Sequence, residues 1–121
     1  MIDHVIIGVR DLAASRAFYE RALPPLGISV VLEHPTSGVG LGRDGKPFFF
    51  IAARAPSGPV HLAFATGDTA AVDAFHREAV AAGGRDNGRP GLRPQYHAAY
   101  YGAFVLDPDG NNIEAVCHHA R

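Results

Sequence analysis

The chain has 121 residues, 47% of them apolar and 19% charged, with a formal net charge of −1. That length suits one domain with a packed core, and the composition excludes a disordered chain. The near-neutral charge leaves no electrostatic footprint for nucleic acid or a membrane surface, and the single cysteine, Cys117, excludes an intrachain disulfide. No apolar run approaches the ~20 residues of a membrane span and no signal peptide is evident, so a cytoplasmic protein is expected.

Ile2 to Val9 read as a strand, with Val5, Ile7 and Val9 on one face and His4, Ile6 and Gly8 on the other. Asp11 has the character of a helix N-cap, and Leu12, Ser15, Phe18, Tyr19, Ala22, Leu23 and Leu26 follow at helical spacing. Pro24, Pro25 and Gly27 end that helix. Ile28 to Glu33 alternate as a strand, Gly38 to Gly42 form a glycine-rich one, and Arg43-Asp44-Gly45-Lys46 is a hairpin turn. Phe48 to Ala53 make another strand, closed by a linker from Ala55 to Pro59.

After the linker the pattern restarts. A shift of 57 positions carries His4 onto His61, Asp11 onto Asp68, Ala17 onto Ala74, Phe18 onto Phe75, Ala22 onto Ala79 and Gly27 onto Gly84. Six matches in one register indicate duplication. The expected fold class is α+β, with two paired βαβββ modules forming a cupped mixed sheet and helices on its outer face. The modules span about 1–55 and 60–119 of one domain covering residues 1–121. The second half carries about eight extra residues, assigned to a loop from Arg85 to Ala99 rich in Gly, Pro and Arg.

The last strand follows the turn Asp107-Pro108-Asp109-Gly110 and carries one carboxylate, Glu114, among apolar residues. A carboxylate inside a packed sheet needs a partner or a metal. His4 and His61 share the face on which Asn112, Glu114 and Val116 fall, while Ile113, Ala115 and Cys117 join the helix side. Two imidazoles and one carboxylate suit a divalent transition metal that keeps open positions for water or substrate. Cys117 reads as a small core residue, His76 as part of an exposed helix face, and His118 and His119 as a solvated, frayed terminus.

Asp3-His4-Val5, Val60-His61-Leu62-Ala63-Phe64 and Asp107-Pro108-Asp109-Gly110-Asn111-Asn112-Ile113-Glu114 together resemble the vicinal oxygen chelate superfamily over nearly the whole chain. That superfamily includes glyoxalase I, extradiol dioxygenases, fosfomycin-resistance proteins and bleomycin-binding proteins. The resemblance implies one divalent metal ion per site (Mn, Fe(II), Ni, Co or Zn) on His4, His61 and Glu114. It also implies a homodimer whose modules may pair across chains. Glyoxalase I takes a fourth ligand from the first module. Counting from Gly45 as from Gly110 puts Phe49 there, which speaks for three ligands. Glyoxalase-, dioxygenase- and fosfomycin-resistance-like reactions share a metal that chelates adjacent oxygens of a small metabolite or xenobiotic. His97, Tyr100 and Tyr101 are candidates for catalytic or substrate contacts, and Arg89, Arg93 and Lys46 are available to an anionic group. The alternative is a metal-free small-molecule or antibiotic binder of the bleomycin-resistance type, whose histidines and glutamate would be missing or bonded to one another. A non-catalytic interaction module is a third possibility.

Overall fold

The architecture comes from a computed structural model that describes residues 1–35 and 38–120. Strand β1 (Val5–Val9) leads into helix α1 (Leu12–Ala22), followed by β2 (Ser29–His34), β3 (Gly38–Arg43) and β4 (Lys46–Ala53). The second half repeats this with β5 (His61–Ala65), α2 (Thr69–Ala81), β6 (Arg85–Leu92), β7 (Tyr101–Leu106) and β8 (Asn112–Cys117). The sheets are ordered β1-β4-β3-β2 and β5-β8-β7-β6, so each module pairs its first and last strands in parallel. The fold is therefore α+β, made of paired βαβββ modules.

Local chemistry explains the repeat. Asp11 and Asp68 both cap helices, accepting from Ala14 N–H at 3.0 Å and Ala70 N–H at 2.9 Å. Phe18 and Phe75 are both buried, as are Ala22 and Ala79, because they occupy the stripe each helix presents to its sheet. The terminating glycines differ. Gly27 takes the left-handed conformation at φ 78°, whereas in the second module Gly83 does so at φ 99°. Gly84 is needed for space instead: a Cβ there would meet Val105 at 2.5 Å and Phe18 at 2.6 Å.

Two expectations are corrected. The stretch from Arg85 is not all loop, since Arg85–Leu92 forms edge strand β6 against β7. Its register shifts on both sides of Gly88 and it contains Pro90, which an edge tolerates because no second neighbour needs its missing N–H. The first strand begins at Val5, leaving Asp3 and His4 in an irregular lead-in.

The modules share one core. Ile7, Val9 and Ile51 of the first module and Ile113, Ala115 and Cys117 of the second belong to the same cluster, covered by Phe18 and Tyr19 of α1 and Val72 and Phe75 of α2. One aromatic edge crosses the junction, Phe49–Phe64 with ring centroids 5.5 Å apart, and Tyr19 packs on Phe49 behind it at 5.0 Å. Arg21 of α1 also bonds Glu78 of α2 at 3.1 Å. Among the described residues no helix is long and apolar enough to cross a membrane.

A polar joint lies inside this core. The Asp107 carboxylate accepts from the backbone of Asp109 and Asn111, from the Asn111 amide at 2.9 Å and from the Tyr19 hydroxyl at 2.5 Å. The Asn111 side-chain oxygen accepts from Val60 N–H at 3.0 Å. One buried carboxylate thus ties the turn before β8 to the helix of the other module. Burial, then the neighbouring Asp107 charge, pushes the Tyr19 phenol far above its ordinary value, which keeps it a donor.

Candidate functional site

The parallel register sets His61 beside Asn112 and Ala63 beside Glu114, while the antiparallel one sets Phe104 beside Glu114. All of these side chains therefore project from the face opposite the helices. Glu114 is 1% exposed and has two partners. One carboxylate oxygen lies 2.8 Å from His61 Nε2, and the other accepts from the Tyr100 hydroxyl. The buried charge that the sequence left unexplained is satisfied by an imidazole and a phenol. Burial first, then the bond to Glu114, pushes the Tyr100 phenol well above its usual value, so it stays protonated and donating.

Gly102 makes room for this pair, since a Cβ there would come within 3.1 Å of the Tyr100 ring and 3.3 Å of the Glu114 carboxylate. Phe104 floors the site, its ring centroid 5.9 Å from that of His61. The Arg93 guanidinium also lies over that ring, with Cζ 5.3 Å from the centroid.

His4 sits apart. Its Nδ1 is 2.8 Å from Asp3 Oδ1, and Asp3 Oδ2 is held by Lys46 Nζ at 2.8 Å. These bonds, Lys46 first and His4 second, lower the Asp3 carboxyl to about 2. A carboxylate can only accept, so Nδ1 carries a proton, and in the neutral ring this is the tautomer that leaves Nε2 to a metal. Among the described residues of one chain, no group of three His, Cys, Asp or Glu side chains gathers as a metal-holding set. The single chain brings His61 and Glu114 together without His4.

The pairing also corrects the assignment of Phe49. Val5 pairs with Phe49 and Ile6 with Phe50, as Leu62 pairs with Ile113 and Ala63 with Glu114. Phe50 is therefore the equivalent of Glu114, and its ring meets His4 at 5.7 Å where Glu114 meets His61. Phe49 faces the core and is 2% exposed. Counting from the turns failed because β3 and β4 close on a two-residue Asp44-Gly45 turn, whereas the loop between β7 and β8 runs from Asp107 to Asn111. The matching position still carries a phenyl ring, which cannot ligate.

Of the other candidates, Tyr100 is at the site and Tyr101 is not. Tyr101 points to the helix side and donates to Asp73 of α2 at 2.6 Å, a bond that with burial pushes its phenol up to about 12. His97 stands beside Tyr100, ring centroids 5.3 Å apart, with Nε2 3.0 Å from His118 Nδ1. His118 stacks on His97, and Ala120 N–H bonds Ala99 O at 3.1 Å. The C-terminal segment is thus tied to the loop before β7 rather than frayed. The sequence reading gave Asp3 and Phe104 no role of their own and took His118 for part of a frayed terminus. The Asp3-His4 adjacency was the available signal for the first, masked by assuming a strand in which neighbours face opposite ways.

The model of the Glyoxalase/Bleomycin resistance protein/Dioxygenase superfamily matches residues 1–115. The chain belongs to this superfamily. Among solved structures, a glyoxalase/bleomycin resistance protein from Albidiferax ferrireducens T118 is 32% identical, with a TM-score of 0.84 over 95% of this chain and 97% of that one. A glyoxalase/bleomycin resistance protein/dioxygenase family enzyme from Burkholderia phytofirmans PsJN is 27% identical, with a TM-score of 0.72 over 96% and 97% of the two chains. A lactoylglutathione lyase from Agrobacterium tumefaciens shares the fold at 23% identity and a TM-score of 0.68, covering 96% and 92%. No curated protein matches the chain. Fold and superfamily agree on a vicinal-oxygen-chelate architecture, while the chemistry must be argued from the side chains.

Proposed function

We propose that this superfamily member is a divalent-metal-dependent enzyme that binds its ion through His61, Glu114 and His4 and acts on adjacent oxygens of a small molecule. The observation that carries the reading is the His61–Glu114 pair. Nε2 and Oε1 lie 2.8 Å apart, the imidazole N–H donating to the carboxylate. An ion that replaced that proton would find the two atoms near the ~3 Å between neighbouring ligands with bonds of about 2.1 Å. Tyr100 holds the second oxygen, which favours a one-oxygen contact to an ion and fixes the carboxylate plane. His4 has the right tautomer, and Phe50 adds no fourth ligand. A bound ion would supply Lewis acidity to the substrate oxygens. The chain's own groups would position them: Phe104 supports one side, and Tyr100, kept protonated, holds the carboxylate still.

His4 would come from a second copy. Within one chain the modules pack through their helices, leaving the His4 face and the His61 face open, with the imidazoles 49% and 54% exposed. Pairing the first module of one copy with the second module of another would join the three ligands in a homodimer. We place this dimer in the cytoplasm, where the buried, unpaired Cys117 would stay reduced.

Metal analysis of protein made without a histidine tag tests the reading. About one ion per chain is expected, lost in Glu114→Ala. Mixing chains tests the sharing: His4→Ala and Glu114→Ala each lose metal, but a heterodimer of the two regains one intact site. Recovery of no metal in the heterodimer would exclude ligands from two chains.

One observation favours a second reading. His61 and Tyr100 between them bond both oxygens of Glu114, as a metal-free binder of small molecules would require. A wild-type protein that takes up none of Mn, Fe(II), Ni, Co or Zn would establish the binder and sink the enzyme.

A further inference from the structure

We propose that Arg93 is a specificity residue that binds an acidic group of the ligand, so that the site takes a small molecule bearing an acid beyond its metal-chelating oxygens. The inference deepens the metal reading and rests on it for the position of the chelating oxygens.

Arg93 is half-buried, and its guanidinium is held in place by the site's own walls. Nη1 donates to Gly91 O at 2.9 Å and Nη2 to Arg89 O at 2.7 Å, while Cζ lies 5.3 Å from the centre of the Phe104 ring. Phe104 is also the neighbour of Glu114 on the sheet and of the His61 ring. One phenyl ring is therefore the shared neighbour of a fixed cation and of the proposed chelation point. Glycines keep the space open, since a Cβ at Gly88 would meet the Phe104 ring at 2.7 Å and Arg93 Nη2 at 3.1 Å.

A guanidinium has five N–H donors, and two carbonyls use two of them. No acidic side chain among the described residues pairs with Arg93. Arg16 and Arg21 are matched with glutamates, and the other arginines without an acidic partner among the described residues, Arg43, Arg54, Arg85 and Arg89, are exposed where Arg93 is half-buried. A half-buried cation without an anion is costly to keep unless a ligand supplies one. Charge counting points the same way. A divalent ion on two neutral imidazoles and one carboxylate leaves one positive charge, and Arg93 adds a second. A ligand with two negative charges balances the site, one through an oxygen on the ion and one on Arg93.

The test uses full-length protein loaded with Mn, with malate and lactate as probes. Both offer a hydroxyl and a carboxylate on adjacent carbons, and malate adds a second carboxylate. Malate should bind at least about tenfold more tightly than lactate, the range of a charge-assisted hydrogen-bonded pair. Arg93→Gln should bring that ratio close to one by weakening malate far more than lactate, and Arg93→Lys should restore part of it. Replacing malate by 2-hydroxy-3-phosphonopropanoate separates a carboxylate preference from a phosphonate one. Equal binding of malate and lactate, or a ratio that survives Arg93→Gln, overturns the proposal. If the wild type takes up no metal, the enzyme reading fails by itself. The subsite is then read on the metal-free protein by 31P line broadening of inorganic phosphate. Loss of broadening in Arg93→Gln supports the subsite, and its persistence refutes it.

Discussion

Asp3 shows how much one exposed side chain can decide. It fixes the proton of His4 on Nδ1 by a 2.8 Å contact and is itself held by Lys46. Partners of this kind commonly tune metal affinity by about 10–100-fold. Asp3→Ala is expected to weaken Mn or Ni binding within that range, measured by competition with a chromogenic chelator, with the melting temperature nearly unchanged because the site is on the surface. Asp3→Asn should fall between, since an amide oxygen still accepts but carries no charge. Tyr100→Phe removes the donor to the far Glu114 oxygen and should likewise cost metal affinity. Equal affinity for all three variants would disconnect these residues from the site.

At the scale of elements, the turn Asp107–Asn111 is more than a reversal of the chain. Its buried carboxylate accepts the Tyr19 hydroxyl and so couples α1 to β8. Tyr19→Phe should destabilise the protein by about 1–3 kcal/mol, the cost of a buried acceptor losing a donor. It should also change the response to alkali. The folded-state value of Tyr19 lies above its unfolded value near 10, so its contribution is complete below pH ~10 and lost as pH rises from there. Each such group steepens the loss by about 1.4 kcal/mol per pH unit. Urea denaturation between pH 9 and 12 should therefore show a shallower decline in Tyr19→Phe than in the wild type. Parallel curves would mean that Tyr19 ionises freely in the folded protein.

At the scale of the whole molecule, the proposed site requires a third ligand from a second copy. The helices hold the two modules of one chain together through a shared core, and both histidine faces remain open. Exposed Ile6 and Leu32 lie on strands of the first module's sheet, apolar surface that a second copy would cover. Size-exclusion chromatography over a hundredfold range of concentration is expected to give a dimer throughout. A monomer at every concentration would exclude the shared site and leave His61, Glu114 and Tyr100 as a binding face.

The sequence by itself determined the duplicated βαβββ plan, the two aspartate caps, the core faces of the helices and the placement of Glu114 on the face of His61. Those follow from periodicity and turn chemistry, which are local. Tertiary structure decided the rest. That Phe50 and not Phe49 matches Glu114 depends on strand register, set by unequal turns that residue counting cannot see. That Tyr100 reaches Glu114 while Tyr101 reaches Asp73 depends on which way the chain enters β7, because consecutive strand residues face opposite sides. Arg93 read as one basic residue among several. Its seat over Phe104, held by the carbonyls of the edge strand, is what suggests a chemical role.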